Sequence, residues 1–336
     1  MPSEQLHAPD GVRTQRRAQR NPPRLRVLTW HLHGNYLYYL SQAPHDFYLV
    51  TKPGSPPGYA GRVGSLPWGD NVYEIAHDAV RTGRFDCVLF QSRQHWENDR
   101  EALLSAEQRR LPAIYLEHDP PQQHPSDSRH WVQERNVLLV HVTPFNALMW
   151  DSGSTPAIVI EHGVVLPAFA RYTGELERGI VVVNHLKRRG RRLGADIFIA
   201  ARERLPLDLV GMDAQALGGL GEIGNLDLAR FMAPYRFFFN PIRWTSLGLA
   251  VVEAMTIGMP IVGLATTELA AVIDRGVNGY VDTDLDRLVE TMHTLLRDPA
   301  LARRWGEAAQ RTARERFHIA RFVRDWNQAL MQVTSA

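Results

Sequence analysis

Cysteine is nearly missing from this chain. Cys87 stands alone, so no internal disulfide can form, and a reducing cytoplasm is the expected setting. Lysine is almost as scarce: Lys52 and Lys187 are the only two among 38 basic residues. Those 38 bases face 36 acids, a net charge of +2, which argues against nucleic-acid binding through bulk charge. No run approaches the roughly 20 apolar residues of a bilayer crossing. The first 23 residues lack the apolar stretch of a signal peptide. Nothing matches a nucleophile elbow or a phosphate-binding loop ending in Gly-Lys-Ser/Thr.

What is present is globular. A hydrophobic fraction of 44% is enough for packed cores and excludes a largely disordered chain. The 336 residues exceed one ordinary core and suit two domains of about 150 residues each. Residues 1–23 carry Pro2, Pro9, Pro22 and Pro23 with Arg13, Arg16, Arg17 and Arg20. They read as a flexible basic tail, or as an arm that leans on anionic headgroups at the inner face of a membrane.

From residue 24 onward, short β-rich runs alternate with helical ones. Strands are expected over 26–30, 46–51, 86–91, 113–117, 137–142 and 157–160, with a short helix through Leu40, a Gly/Pro-rich loop over 52–70, and helices over 71–81 and 95–109. A second series has strands over 179–183, 207–210, 236–239, 260–264 and 279–281. Its helices are expected near 192–204, 225–233, 247–257 and 267–274, followed by three helical stretches with a break at Asp298-Pro299. Such alternation predicts crossover units on parallel sheets, with ligands at the carboxyl ends of the strands. The expected division is 24–165, a linker over 166–178, a second domain over 179–315, and a final helix over 316–336 that can pack back on the first domain.

The densest chemistry lies after the strand that ends near Asn240. The loop holds Thr245, Ser246, Leu247 and Gly248, and a helix starts within it. The unpaired N–H groups and positive dipole end of that helix suit a phosphate, and Gly248 permits close approach. Glu253 lies seven residues beyond Ser246, nearly two turns, on about the same face and roughly 10 Å further along. Its carboxylate can accept both hydrogen bonds of a vicinal diol such as a ribose; a glutamate that merely faces solvent remains the alternative. After the strand 179–183 comes Asn184-His-Leu-Lys-Arg-Arg-Gly-Arg-Arg192. Its five cations suit a diphosphate, with Lys187 and Arg188 nearest the strand end and Arg192 third; a solvated loop is the alternative. Asp282, Asp284 and Asp286 mimic an Asp-x-Asp metal motif but stand before a helix, where capping explains them. His118, His124 and His130 with Asp119 and Asp127, and the pair His31 and His33, make no compact tetrahedral set, so no metal is expected.

The stretch Asn240-Pro-Ile-Arg-Trp-Thr-Ser-Leu-Gly-Leu-Ala-Val-Val-Glu-Ala-Met-Thr-Ile-Gly-Met-Pro-Ile-Val262, followed by Gly276-Val-Asn-Gly-Tyr280, resembles the carboxyl half of the retaining GT-B glycosyltransferases of family 4. Asp298-Pro-Ala-Leu301 and the helical run over 304–317 are similar to that family's C-terminal helices. In the first half the strand-end Gly34, Glu117-His-Asp-Pro120 and Ile160-Glu-His-Gly-Val164 are compatible with it. The resemblance implies an α/β fold with two Rossmann-like domains whose parallel sheets face a central cleft. It implies a nucleotide-sugar donor (a UDP-, GDP- or ADP-sugar), a glycan or lipid-linked acceptor, no cofactor and no required metal. By that resemblance Glu253 holds the ribose, the 246–248 backbone meets the diphosphate or sugar, and His118 reaches the donor sugar from the other domain. The leaving phosphate itself assists the acceptor hydroxyl, so no side-chain base is assigned. The catalytic set is therefore His118, Lys187 and Arg188, and the donor-binding set Gly34, Arg192, Thr245, Ser246, Leu247, Gly248 and Glu253.

Two departures stand out. The family usually has two glutamates eight residues apart, and the earlier position is Thr245 here, with one short uncharged hydroxyl. The family's Gly-Arg and lysine after the first strand of the second domain are replaced by the 184–192 segment. Two other readings stay open: a nucleotide-sugar epimerase of the same architecture, and a non-catalytic nucleotide-sugar-binding subunit.

Overall fold

A computed structural model describes residues 24–32, 34–63, 66–166 and 170–335; the basic tail expected over 1–23 lies outside them. Seven strands build the first sheet: β1 (Arg26–Thr29), β2 (Asp46–Thr51), β3 (Val72–Ala76), β4 (Cys87–Phe90), β5 (Ala113–Glu117), β6 (Val137–His141) and β7 (Ala157–Val159). Their order is β3-β2-β1-β4-β5-β6-β7, and every pairing is parallel. The second sheet holds β8 (Leu176–Val182), β9 (Leu207–Val210), β10 (Tyr235–Asn240), β11 (Ile261–Leu264) and β12 (Gly279–Asp282), in the order β12-β11-β10-β8-β9. It too is parallel throughout. β8 begins at Leu176, inside the stretch expected to be linker.

Helices cover both sheets, as a parallel sheet requires. The first domain contributes α1 (Gly34–Leu40), α2 (Arg100–Leu103) and α3 (Pro144–Met149). The second contributes α4 (Leu186–Arg189), α5 (Ala195–Arg202), α6 (Asn225–Met232), α7 (Leu249–Ile257), α8 (Leu269–Val272), α9 (Leu285–Arg297) and α10 (Pro299–Arg316). The last helix, α11 (Ile319–Ser335), crosses back to pack on α1, β4 and β5. Asp298 ends α9, and its carboxylate caps α10 by accepting from the Leu301 N–H at 2.8 Å, while Pro299 starts that helix. No helix of the described residues is long and apolar enough to cross a membrane.

Two expectations fail here. Residues 71–81 are not a helix: 72–76 form the edge strand β3, with only Val72 buried, and 80–82 a single 3₁₀ turn. The helix expected over 95–109 is broken into a π turn, the short α2 and a 3₁₀ turn. Gln108 stabilises the break. Its buried amide donates to the carbonyls of Val80 and Gly83, and its oxygen accepts from the Ser105 N–H.

The domains meet over a long seam. Tyr36 on α1 is its aromatic hub, standing edge-on to His118, His162, Phe322 and Trp326. The segment 160–164 runs against α11 so closely that a Cβ on Gly163 would lie 2.2 Å from the Cβ of Phe322. Arg316 closes the other end of the seam, bonding Glu161 and the buried Glu268, whose second oxygen accepts from the Phe145 N–H of the first domain.

Candidate functional site

Two strand ends of the second sheet build the site. After β10, residues 241–248 run as a loop to α7. Five aliphatic side chains of that helix (Val251, Val252, Ala254, Met255 and Ile257) are buried. At about 1.5–3 kcal/mol for each of the larger ones, that burial anchors the helix, so its N-terminus is a fixed feature. The N-cap is Gly248, which has no side chain to cap with and faces open space where a Cβ would sit. Ser246 is buried and its hydroxyl has no partner among the described residues.

After β8 the chain turns sharply through His185, which sits in the left-handed region at φ 53°, into α4 and a 3₁₀ turn that carry the five cations. This segment is fastened to the α7 loop. The Arg192 carbonyl accepts from the N–H groups of Arg243 and Trp244 at 3.0 and 3.1 Å. Arg243 grips Asp196 with both ends of its guanidinium and bonds the Arg191 carbonyl. Gly194 makes the contact possible: at φ +80°, any Cβ would lie 1.9 Å from the Pro241 carbonyl oxygen.

The cations divide accordingly. Arg191 is used structurally, paired to Asp196 at 2.6 Å. Lys187 and Arg188 are exposed, with no ion pair to a described residue. Arg189, which the sequence did not single out, is half-buried; its guanidinium pKa is held down by burial and by neighbouring Arg192 and Arg188, and is partly restored by Asp119 of the first domain. Arg189 is therefore within electrostatic reach of Asp119 of the first domain, as well as of Arg192 and Arg188.

From the first domain, the β5 end supplies His118 and Asp119. His118 Nε2 lies 3.2 Å from Gln91 Oε1, with its ring against Tyr36. Asp119 accepts from the Thr245 hydroxyl at 3.3 Å, and Trp244 donates to the Pro121 carbonyl at 2.8 Å. The place where the resembled family carries its first glutamate is thus bonded to an acid from the opposite domain. Gly34 begins α1 and is exposed.

Glu253 is not an open carboxylate. It is 2% exposed, and its Oε1 accepts from Tyr39 Oη at 2.8 Å and Asn35 Nδ2 at 2.9 Å, both on α1 of the first domain. Burial raises its pKa, opposed by those two donors. The hydrogen bonds expected for a diol are made within the chain, across the seam. The main chain of 246–248 is likewise tied to the segment 160–164: His162, neutral because burial lowers it to about 4, donates from Nε2 to the Leu247 carbonyl at 2.8 Å. Asp282 and Asp284 act as their position before α9 predicts, with Asp284 capping the helix at the Asp286 N–H. Among the described residues no three His, Cys, Asp or Glu side chains gather as metal ligands do.

The architecture is shared with known proteins. Sucrose-phosphate synthase from Thermosynechococcus elongatus superposes with a TM-score of 0.67 at 17% identity, over 93% of this chain and all of that one. HepE from Anabaena, in complex with UDP, does so with a TM-score of 0.67 at 16% identity and the same coverages. AviGT4, a glycosyltransferase involved in avilamycin A biosynthesis, gives 0.57 at 16% identity over 93% of this chain and 98% of its own. No curated protein matches the chain in sequence. The fold is that of the GT-B glycosyltransferases: two parallel-sheet domains meeting at a cleft. Residues 197–298, which run from α5 through α7 to the start of α10, match the model of the family Glycosyl transferases group 1.

Proposed function

We propose that the chain is a retaining glycosyltransferase that moves a sugar from a nucleotide diphosphate sugar to a hydroxyl of a glycan or lipid-linked acceptor, without a metal, on the cytoplasmic side of the cell. The observation that carries this reading is the fastening of the 187–192 segment beside the N-terminus of α7 at the domain seam. Positive side chains and helix N–H groups then converge on one place, which is what a diphosphate demands. The UDP and UDP-glucose complexes of the structurally similar HepE are consistent with a nucleotide-sugar donor.

In this reading the glycosidic bond breaks while negative charge grows on the leaving diphosphate. Lys187, Arg188, Arg189, Arg192 and the α7 terminus at 246–248 stabilise that charge, in a site kept dry by the opposing domain. The leaving phosphate takes the acceptor proton, and the acceptor oxygen bonds from the same face. His118 meets the donor sugar from the first domain, and Thr245 with Asp119 does so in place of a glutamate. Glu253 takes the ribose diol only if Asn35 and Tyr39 release it, so nucleotide binding is coupled to movement of α1 against α7.

The test is to incubate the protein with pooled UDP-, GDP- and ADP-sugars and follow nucleoside diphosphate release with and without an acceptor panel. Release that depends on an acceptor supports transfer. Release that ignores every acceptor argues for an epimerase, and donor binding with no release for a binding subunit.

A further inference from the structure

A cleft of about 470 Å³, within the roughly 300–1,000 Å³ of small-molecule sites, opens where the far end of α7 meets α10 and residues 171–172. The whole length of α7, about 13 Å of helix, separates it from the loop at 246–248. Arg303, Glu307, Gln310 and Arg314 of α10 form one wall, since spacings of three and four place them on one helix face. Gly306 seats that wall against the end of α7: a Cβ there would lie 1.9 Å from the Gly258 carbonyl oxygen. Arg171 and Tyr172 close the other side.

The charge of this cleft is one-sided. Arg171, Arg303 and Arg314 are exposed and form no ion pair with a described residue, while Glu307 is the single acid in the lining. A further cation lies close by. Arg236, 4% exposed, gives its guanidinium protons to the carbonyls of Gly174, Leu295 and Leu296 and pairs with no described carboxylate. The α9 dipole offsets only part of that charge. Burial pushes the Tyr172 hydroxyl up to about 12, and the charges of Arg236 and Arg303 pull against it, so the field of both reaches Tyr172. The acceptors that could answer this field are already used. The last four carbonyls of α7, which an open helix end would present, accept from the N–H groups of Met259, Gly258 and Tyr172 and from the Gln310 amide.

A cleft lined by one sign of charge concentrates counter-ions, and three guanidiniums around it select among them. A phosphomonoester brings a charge of about −1.5 to −2 and three acceptor oxygens pointing in three directions; a carboxylate brings two in one plane. Arginine forks match those oxygens bidentately. The cleft is larger than a phosphate group, which leaves room for an organic remainder against Tyr172 and Ile257. We infer that this cleft binds a small phosphomonoester. The inference goes beyond the transfer reading above and does not rest on it.

Isothermal titration calorimetry of the full chain with glycerol 3-phosphate, glucose 6-phosphate and phenyl phosphate, each compared with malonate as a dicarboxylate of similar charge, tests the inference. At least one phosphomonoester should bind one to one, with malonate about tenfold weaker or more. Arg303→Gln with Arg314→Gln, both exposed, should weaken that ligand about tenfold or more at unchanged Tm. Glu307→Gln should tighten it by removing the one opposing charge. The Arg188→Ala, Arg189→Ala double variant should bind it as the parent chain does. No saturable binding across the panel, equal binding of malonate, or affinity that survives loss of Arg303 and Arg314 would overturn the inference. Affinity lost instead with Arg188 and Arg189 would overturn it too, by placing the ligand at the strand-end cations.

Discussion

Replacing Glu253 by alanine should be costly in a way that identifies its partners. The side chain is 2% exposed and accepts from Tyr39 Oη and Asn35 Nδ2. Removing it strands the Tyr39 hydroxyl, on a residue 3% exposed, whereas half-buried Asn35 can turn to water. One stranded buried donor costs about 1–3 kcal/mol, and the emptied volume adds to that, so a loss of about 2–4 kcal/mol is expected. At about 2 °C or more per kcal/mol for a chain of this size, Tm should fall by roughly 4–8 °C. Tyr39→Phe alone removes one donor and leaves the carboxylate its Asn35 bond, a loss of about 1 kcal/mol. In the double variant the stranded hydroxyl is gone, so the pair should be less destabilised than the sum by about 1 kcal/mol or more. Differential scanning calorimetry of all four proteins measures the cycle. Additivity within about 0.3 kcal/mol would refute the seam contact, and with it the claim that Glu253 is engaged by α1.

Lys187→Ala with Arg188→Ala should lower sugar-transfer turnover while leaving Tm nearly unchanged, since both side chains are exposed; matching losses in calorimetry and in diphosphate-release kinetics would make the cluster structural. Arg191→Ala, which breaks an exposed pair with Asp196, should shift Tm by no more than the ~1 kcal/mol equivalent of a surface ion pair. Gly194→Ala should destabilise the protein by more than about 2 kcal/mol in chemical denaturation, because its Cβ meets the Pro241 carbonyl at 1.9 Å and its φ is +80°. Stability should peak near pH 6–7 in a melting series. His130 and His141 are lowered to about 3 and His162 to about 4 by burial, so the unfolded chain binds more protons and stability is lost as pH falls below about 6.5. Glu117, raised from about 4.5 to about 8, holds a proton in the fold that the unfolded chain lacks, so its contribution declines as pH rises from about 4.5 to 8, partly offsetting the histidines below pH 6.5 and lowering stability above it. Each group contributes a slope of roughly 1 kcal/mol per pH unit in its window.

The sequence revealed most of the architecture because parallel strands are buried on both faces and read as plain apolar runs. β4, β5, β6 and β10 are buried at every residue. β3 escaped because an edge strand has one neighbour. Its Val72-Tyr-Glu-Ile-Ala76, one buried residue followed by four less covered ones, has no alternation to separate it from a helix face. The helix α3 was overlooked although its signals were present, with Thr143 capping the Asn146 N–H and Pro144 at the first turn.

At the site, the α7 loop and the cation segment were legible as strand-end features of one domain. What crosses the seam was not. The partners of Glu253 lie 218 and 214 residues away, and no spacing rule reaches that far. Arg189 and Arg191 look alike in sequence, on either side of the Gly190 turn at φ +56°; only the fold pairs Arg191 with Asp196 and leaves Arg189 under the influence of Asp119. Asp119 was visible as a strand-end acid, but its bond to Thr245 depends on how the domains meet. Glu117 and His130 likewise form a pair only once β5 and the loop after it are folded together.

The central claim is that the 187–192 segment and the α7 N-terminus together hold a diphosphate. Thermal protection by UDP, GDP and ADP, each compared with its monophosphate, tests it directly. One diphosphate at about 100 times its dissociation constant should add about 2.7 kcal/mol of stability, with the monophosphate clearly weaker and the effect lost in an Arg188→Ala, Arg189→Ala double variant. Equal protection by mono- and diphosphates, or protection that survives loss of both arginines, would contradict the account.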